Sequence, residues 1–183
     1  RGYGLKPDSR LKHAGMTNNW YFWMSSNENR KARDAALRLL GLCDRSKKDL
    51  KERLLRKGYS EVAAEKVVDE MESLGYIDDR RFAERFASDA IKRKDAGPQM
   101  IISGLRKKGV AREIIDDVLG KVFNDYTQTD IARNALSRRL RKGGVTPDRD
   151  ELKRLSDYLR RKGFSYDIIK EVLKGIEQYD DIV

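Results

Sequence analysis

Leu54-Leu55-Arg56-Lys57-Gly58-Tyr59 returns twice further along the chain, as Leu105-Arg106-Lys107-Lys108-Gly109-Val110 and as Leu159-Arg160-Arg161-Lys162-Gly163-Phe164. Aligned on the glycine, the three share Leu-x-x-Lys-Gly followed by an apolar residue. The glycines stand 51 and 54 residues apart, too long a period for two helices and suited to three with short turns.

Working outward, the flanks repeat as well. Eight residues before each glycine stand Leu50, Ile101 and Leu155, and nine and ten after it stand Val67-Val68, Val118-Leu119 and Val172-Leu173. A helical period begins at Asn29 and runs nearly to the end, giving nine candidate helices and no strand signal. Ala32, Ala35, Ala36, Leu39 and Leu40 make the first stripe. Leu50, Leu54 and Leu55 face inward in the second, and Val67, Val68, Met71 and Leu74 in the third. Ser46 with Asp49, Ser60, Asp78, and Thr127 with Asp130 sit where helices need N-terminal caps. Gly97-Pro98, Gly143-Gly144 and Thr146-Pro147 mark further breaks and starts. The expected fold is therefore all-α, a tandem array of three three-helix modules over residues 29–77, 78–124 and 125–183. Residues 1–28 carry Gly2, Gly4, Pro7 and Gly15 without a helical period, and we expect an irregular N-terminal extension there. Its cluster Trp20-Tyr21-Phe22-Trp23-Met24 could stack on nucleic-acid bases, although aromatics near a chain end more commonly cap an apolar face.

Composition narrows the function. Forty Lys and Arg against thirty Asp and Glu leave a formal charge of +10, which points to an acidic partner such as nucleic acid or a nucleoprotein. Simple solubility is the bland alternative. The lone Cys43 and the lone His13 argue against an intrachain disulfide, zinc sites and triads built on several histidines. No apolar run reaches the ~18 residues of a membrane span, nothing resembles a secretory signal, and a reducing, cytoplasmic setting is expected. The chain starts at Arg1 without methionine, as a fragment would.

Within each module the signs separate. Residues 46–57 carry six basic against two acidic side chains and 98–108 three against none, whereas 61–72 carry one against five and 166–181 two against five. Stacked modules would thus line up a basic face apart from an acidic one. The candidate contacts for a polyanionic partner are Arg56, Lys57, Arg106, Lys107, Lys108, Arg160, Arg161 and Lys162. Helix-dipole stabilisation, worth ~0.3–1 kcal/mol per cation in a last turn, is the competing explanation. Lys92, Arg93, Lys94, Arg138, Arg139, Arg141 and Lys142 add more basic residues than capping needs.

The ordered set resembles a known family, the RecX regulators of the RecA recombinase. It comprises Ala36-Leu37-Arg38-Leu39-Leu40, Ser46, Leu50 and the first Leu-x-x-Lys-Gly, then Gly75-Tyr76-Ile77-Asp78-Asp79 with Arg81-Phe82-Ala83. Gly97-Pro98, Ile101, the second Leu-x-x-Lys-Gly and Arg161-Lys162-Gly163-Phe164-Ser165 complete it, over about residues 30–178. The resemblance implies an elongated array acting as a regulator that binds in the groove of the RecA filament on single-stranded DNA; separately, a monomer is expected. It would limit ATP hydrolysis, filament growth and strand exchange in recombination and DNA repair, with DNA binding of its own. The runner-up is a basic helical repeat that acts by competing for DNA, and a third reading is a scaffold using the acidic closing helices. An enzyme is the least expected: no Gly-Lys-Ser or Gly-Lys-Thr phosphate loop and no metal-ligand constellation is present, and no cofactor is implied.

Overall fold

The computed structural model describes residues 16–140 and 149–180, with side chains over 27–124, 126–140 and 149–175. Among the described residues there are nine helices and no strand. They are α1 (Met16–Leu42), α2 (Lys47–Arg56), α3 (Glu61–Ser73), α4 (Asp79–Lys94), α5 (Pro98–Lys107), α6 (Arg112–Asp125), α7 (Gln128–Leu140), α8 (Arg149–Lys162) and α9 (Tyr166–Asp180).

Side-chain caps open four of the helices. The Ser60 hydroxyl accepts the Ala63 N–H at 3.3 Å, and the Asp78 carboxylate accepts those of Arg80 and Arg81 at 2.9 and 3.0 Å. The Ser46 and Thr127 hydroxyls accept the N–H three residues on, at Asp49 and Asp130. α6 has no such aid, since Ala111 stands at its cap position.

The first correction concerns residues 1–28. α1 begins at Met16, so 16–28 is helical rather than irregular. No glycine or proline stands between Gly15 and Gly41. A helix nucleated downstream can therefore propagate backward, gaining one hydrogen bond per residue. Residues 1–15 lie outside the described residues, as do the side chains of Trp20 to Met24 on which the base-stacking reading rests. The Gly143-Gly144 stop and the Thr146-Pro147 start lie outside them too.

Two compact units divide the chain: residues up to Cys43 with Leu50–Tyr76, and Asp44–Asp49 with Ile77 onward. In the first unit α1 packs along α3, burying Ala32, Ala35 and Ala36 with Ala63, Val67, Val68 and Met71. Leu50 and Leu54 of α2 are wholly buried, each worth ~1.5–3 kcal/mol relative to exposure. Leu55 and Leu74, expected inward, are exposed. Leu54 already fills the inward position beside Leu55, and Leu74 is the residue that ends α3 rather than part of its stripe.

In the second unit the stripes of α4 to α9 close on one continuous core, from Ala83 and Ile91 through Leu105 and Ile115 to Leu136, Leu159 and Val172. α4 packs on α6, α7 on α9, and α5 reaches α8. Each helix trio also carries an ion pair from an arginine of its first helix to an acid of its third. These pairs are Arg33 to Glu70 at 3.3 Å, Arg80 to Asp117, and Arg133 to Glu171 at 3.9 Å. Lys51 further bridges Glu61 and Glu65 at 3.1 and 2.5 Å. Part of the acidity of the closing helices thus serves the trios themselves. The Arg80 guanidinium, with Lys121 second, holds the Asp117 carboxyl below its ordinary value, and Glu65 and then Glu61 push the Lys51 ammonium up.

Candidate polyanion-binding site

The eight candidate cations all lie at the ends of α2, α5 and α8 and in the turns that follow. Each turn is closed by a glycine in the left-handed region, with φ of 89° at Gly58, 74° at Gly109 and 88° at Gly163. In each, the backbone N–H after the glycine donates to the carbonyl of the repeat leucine: Tyr59 to Leu54, Val110 to Leu105 and Phe164 to Leu159. Leucine and glycine of the motif are therefore one hydrogen-bonded closure.

Two of the turns have a second job within the second unit. The Ser46 hydroxyl donates to the Lys108 carbonyl at 2.5 Å. The Lys108 ammonium reaches the Asp49 carboxylate at 2.9 Å, which also receives Arg45 at 2.9 Å. Arg45 and Asp49 are both buried, so that carboxylate is held by two cations out of water. The next turn repeats the arrangement with backbone groups. The Gly97 N–H donates to the Lys162 carbonyl at 2.7 Å, and the Gln99 N–H to that of Gly163 at 3.1 Å. The Lys162 ammonium donates to the Lys94 carbonyl. The segment leading into α2 thus docks on the Gly109 turn, and the segment leading into α5 docks on the Gly163 turn. Sequence reading took Gly97 for a chain break; a Cβ there would stand 2.7 Å from the Gly163 backbone, which is why no side chain fits.

The candidates separate accordingly. Lys108 and Lys162 turn their ammonium groups onto the docked segments. Arg56, Lys57, Arg106, Lys107 and Arg161 are exposed. Arg160 is exposed as well and carries an ion pair to Asp157 at 2.9 Å. The fold brings Lys107, Arg160 and Arg161 to one depression of about 480 Å³ in the second unit, together with Lys94. Arg56 and Lys57 belong to the first unit. Tyr158 of α8 is flanked by two cations, Arg139 at 5.0 Å and Lys162 at 5.3 Å from the ring centre. The sequence signal for Lys94 was the basic run closing α4; nothing in the sequence tied it to Arg161.

No group of three or more potential metal ligands occurs among the described residues. No helix among them is long and apolar enough to cross a membrane.

Comparison with known proteins agrees with this arrangement of helix trios. Family models described as the first, second and third three-helix domains of RecX match residues 32–71, 78–119 and 126–173. The regulatory protein RecX of Chlorobium phaeobacteroides is 34% identical over 155 residues, covering 84% of this chain and 98% of that protein. That of Pelodictyon phaeoclathratiforme is 32% identical over 151 residues, covering 82% and 92%. The crystal structure of RecX from Lactobacillus salivarius superposes with a TM-score of 0.72 at 24% identity, over 84% of this chain and 99% of that one, a likeness of fold.

Proposed function

The chain belongs to the RecX family of regulatory proteins, and from that premise we propose that it binds the RecA filament on single-stranded DNA and restrains it. On this reading it is not an enzyme. It lies in the helical groove as a cytoplasmic monomer and limits ATP hydrolysis, filament growth and strand exchange in recombination and repair. The observation that carries the reading is the recurrence of a basic turn in every helix trio, joined to the matches with RecX regulators over most of the chain. A groove lined by a periodic polyanion and repeated protein subunits would be met by cations that recur once per helix trio along the sequence. Arg56, Lys57, Arg106, Lys107, Arg160 and Arg161 are the contacts we propose, with Lys108 and Lys162 setting the geometry of their turns.

The test is the steady-state ATPase of RecA on a fixed amount of single-stranded DNA, titrated with this protein well below one per RecA subunit. Inhibition at that ratio, surviving excess DNA, is the expected result. Arg160→Glu with Arg161→Glu should weaken inhibition ~10-fold or more while leaving helicity unchanged, because two favourable charge contacts become repulsive. Lost inhibition together with lost helicity would make those two residues structural. Inhibition that needs enough protein to coat the DNA would favour competition for DNA instead.

A further inference from the structure

The depression of the second unit is lined by four cations, Lys94, Lys107, Arg160 and Arg161, and by no aspartate or glutamate among the described residues. In a chain with thirty acidic residues, a lining of only positive side chains stands out. Arg160 has its Asp157 partner, which leaves three cations around the opening with no acidic partner among the described residues. Lys94, Lys107 and Arg161 lie at helix C-termini, where free carbonyls would oppose an anion. Here the carbonyls of Lys162 and Gly163 are taken by the Gly97 and Gln99 N–H groups, and that of Lys94 by the Lys162 ammonium. The negative ends of the backbone are thereby partly neutralised, and the basic side chains set the sign of the field.

The remaining walls differ in character. Phe86, Met100, Ala90 and Gly104 supply apolar surface, and Gln99 and Ser103 supply groups able both to donate and to accept hydrogen bonds. The Phe86 ring lies over Gly104, where a Cβ would stand 2.5 Å from its Cζ, so this glycine makes room for the ring. Phe86 remains only half-buried and Met100 is 39% exposed. A volume of about 480 Å³ falls within the ~300–1,000 Å³ of ordinary ligand sites. A bare inorganic anion would use the cations and leave the aromatic floor idle.

We infer that this depression is a subsite for one nucleotide unit, its phosphate held by Lys94, Lys107 and Arg161 and its base against Phe86 and Met100. The unit can come from a single strand or from a free mononucleotide. The inference deepens the regulatory reading and rests on it only in taking the strand to be the filament's DNA.

The experiment uses the full chain without RecA. Amide shifts of ¹⁵N-labelled protein are followed on adding an oligothymidylate of about eight residues, an abasic strand of the same length, thymidine monophosphate, and oligoglutamate. Shifts at Phe86, Gly104 and Arg161 with the oligothymidylate are expected. Lys107→Ala with Arg161→Ala should weaken binding of both strands ~10-fold and lower the salt dependence by up to about one ion, the release owed to one phosphate. Phe86→Leu, which keeps apolar packing, should weaken the oligothymidylate ~5-fold and leave the abasic strand unchanged, since only a base can stack. Thymidine monophosphate reproducing the same shifts identifies a free nucleotide as a sufficient ligand; shifts with the strand alone identify the strand. Unchanged affinity in the double variant, or equal shifts from oligoglutamate, overturns the inference. The RecA ATPase assay keeps the two claims apart. Inhibition without nucleotide binding sinks this subsite alone, and nucleotide binding without inhibition sinks the regulatory reading alone.

Discussion

The turn at Gly58 and the turn at Gly163 have nearly the same sequence and the same backbone, with φ of 89° and 88°, yet different surroundings. A Cβ on Gly58 would meet nothing within 4 Å, whereas one on Gly163 would run into the backbone and side chain of Met100. One glycine is needed for its conformation. The other is needed for its conformation and its size. A sequence motif can therefore be kept for two reasons at different copies, and only the tertiary contacts tell them apart. The same division runs through the lysines before the glycines, for Lys108 and Lys162 reach docked segments and Lys57 remains exposed.

The most direct way to break this comparison is to substitute both glycines by alanine. Gly163→Ala should cost about 3–4 kcal/mol in chemical denaturation, combining left-handed strain with a backbone clash. Gly58→Ala should cost only ~1–2 kcal/mol, the strain alone. Equal costs would show that docking adds nothing. Next in size is Asp49→Ala, which removes the carboxylate that the buried Arg45 guanidinium and the Lys108 ammonium share. We expect a loss of about 3 kcal/mol, at the lower end of what breaking a buried pair costs because Lys108 is partly exposed. A loss under half of that would make the network ornamental.

The lysines sharpen the contrast at a smaller scale. Lys108→Met should cost ~1 kcal/mol, since Asp49 keeps Arg45, while Lys57→Met should fall within ~0.5 kcal/mol of the parent. The smallest effect is a matter of pH. Because the Asp117 carboxyl titrates below the ordinary aspartate value of 3.8, its pair with Arg80 stabilises the fold above that value. The contribution is lost as the pH falls through the lowered value. Asp117→Asn should therefore melt slightly lower than the parent at neutral pH and converge with it in strong acid. A gap that persists there would assign the effect to something other than this charge.

Much of the fold was legible in the sequence because its punctuation is local. Ser60, Asp78 and Thr127 cap the helices they precede, and the apolar stripe from Val67 to Met71 is buried as its spacing requires. The start of α1 is not legible because residues 16–28 hold an aromatic cluster without helical period and no start signal of their own. Leu55 was misread because adjacent leucines leave the face ambiguous by one position. The cations of the candidate site were legible as types. Their grouping was not, since Lys94 and Arg161 come together only through a docking contact made by backbone atoms, and Gly97 looks in sequence like any other break.

That docking contact also bears on how the chain is made. Ser46 meets the Lys108 carbonyl across 62 residues, and Lys94 meets Lys162 across 68. At a ribosomal rate of ~5–20 residues per second, each docking segment leaves the tunnel some ~3–14 s before the turn that completes it. Local helices form within microseconds, so each of these two segments is in place before its turn has been made. The Gly109 turn and then the Gly163 turn each close on a segment that has been waiting, in the order in which they are translated.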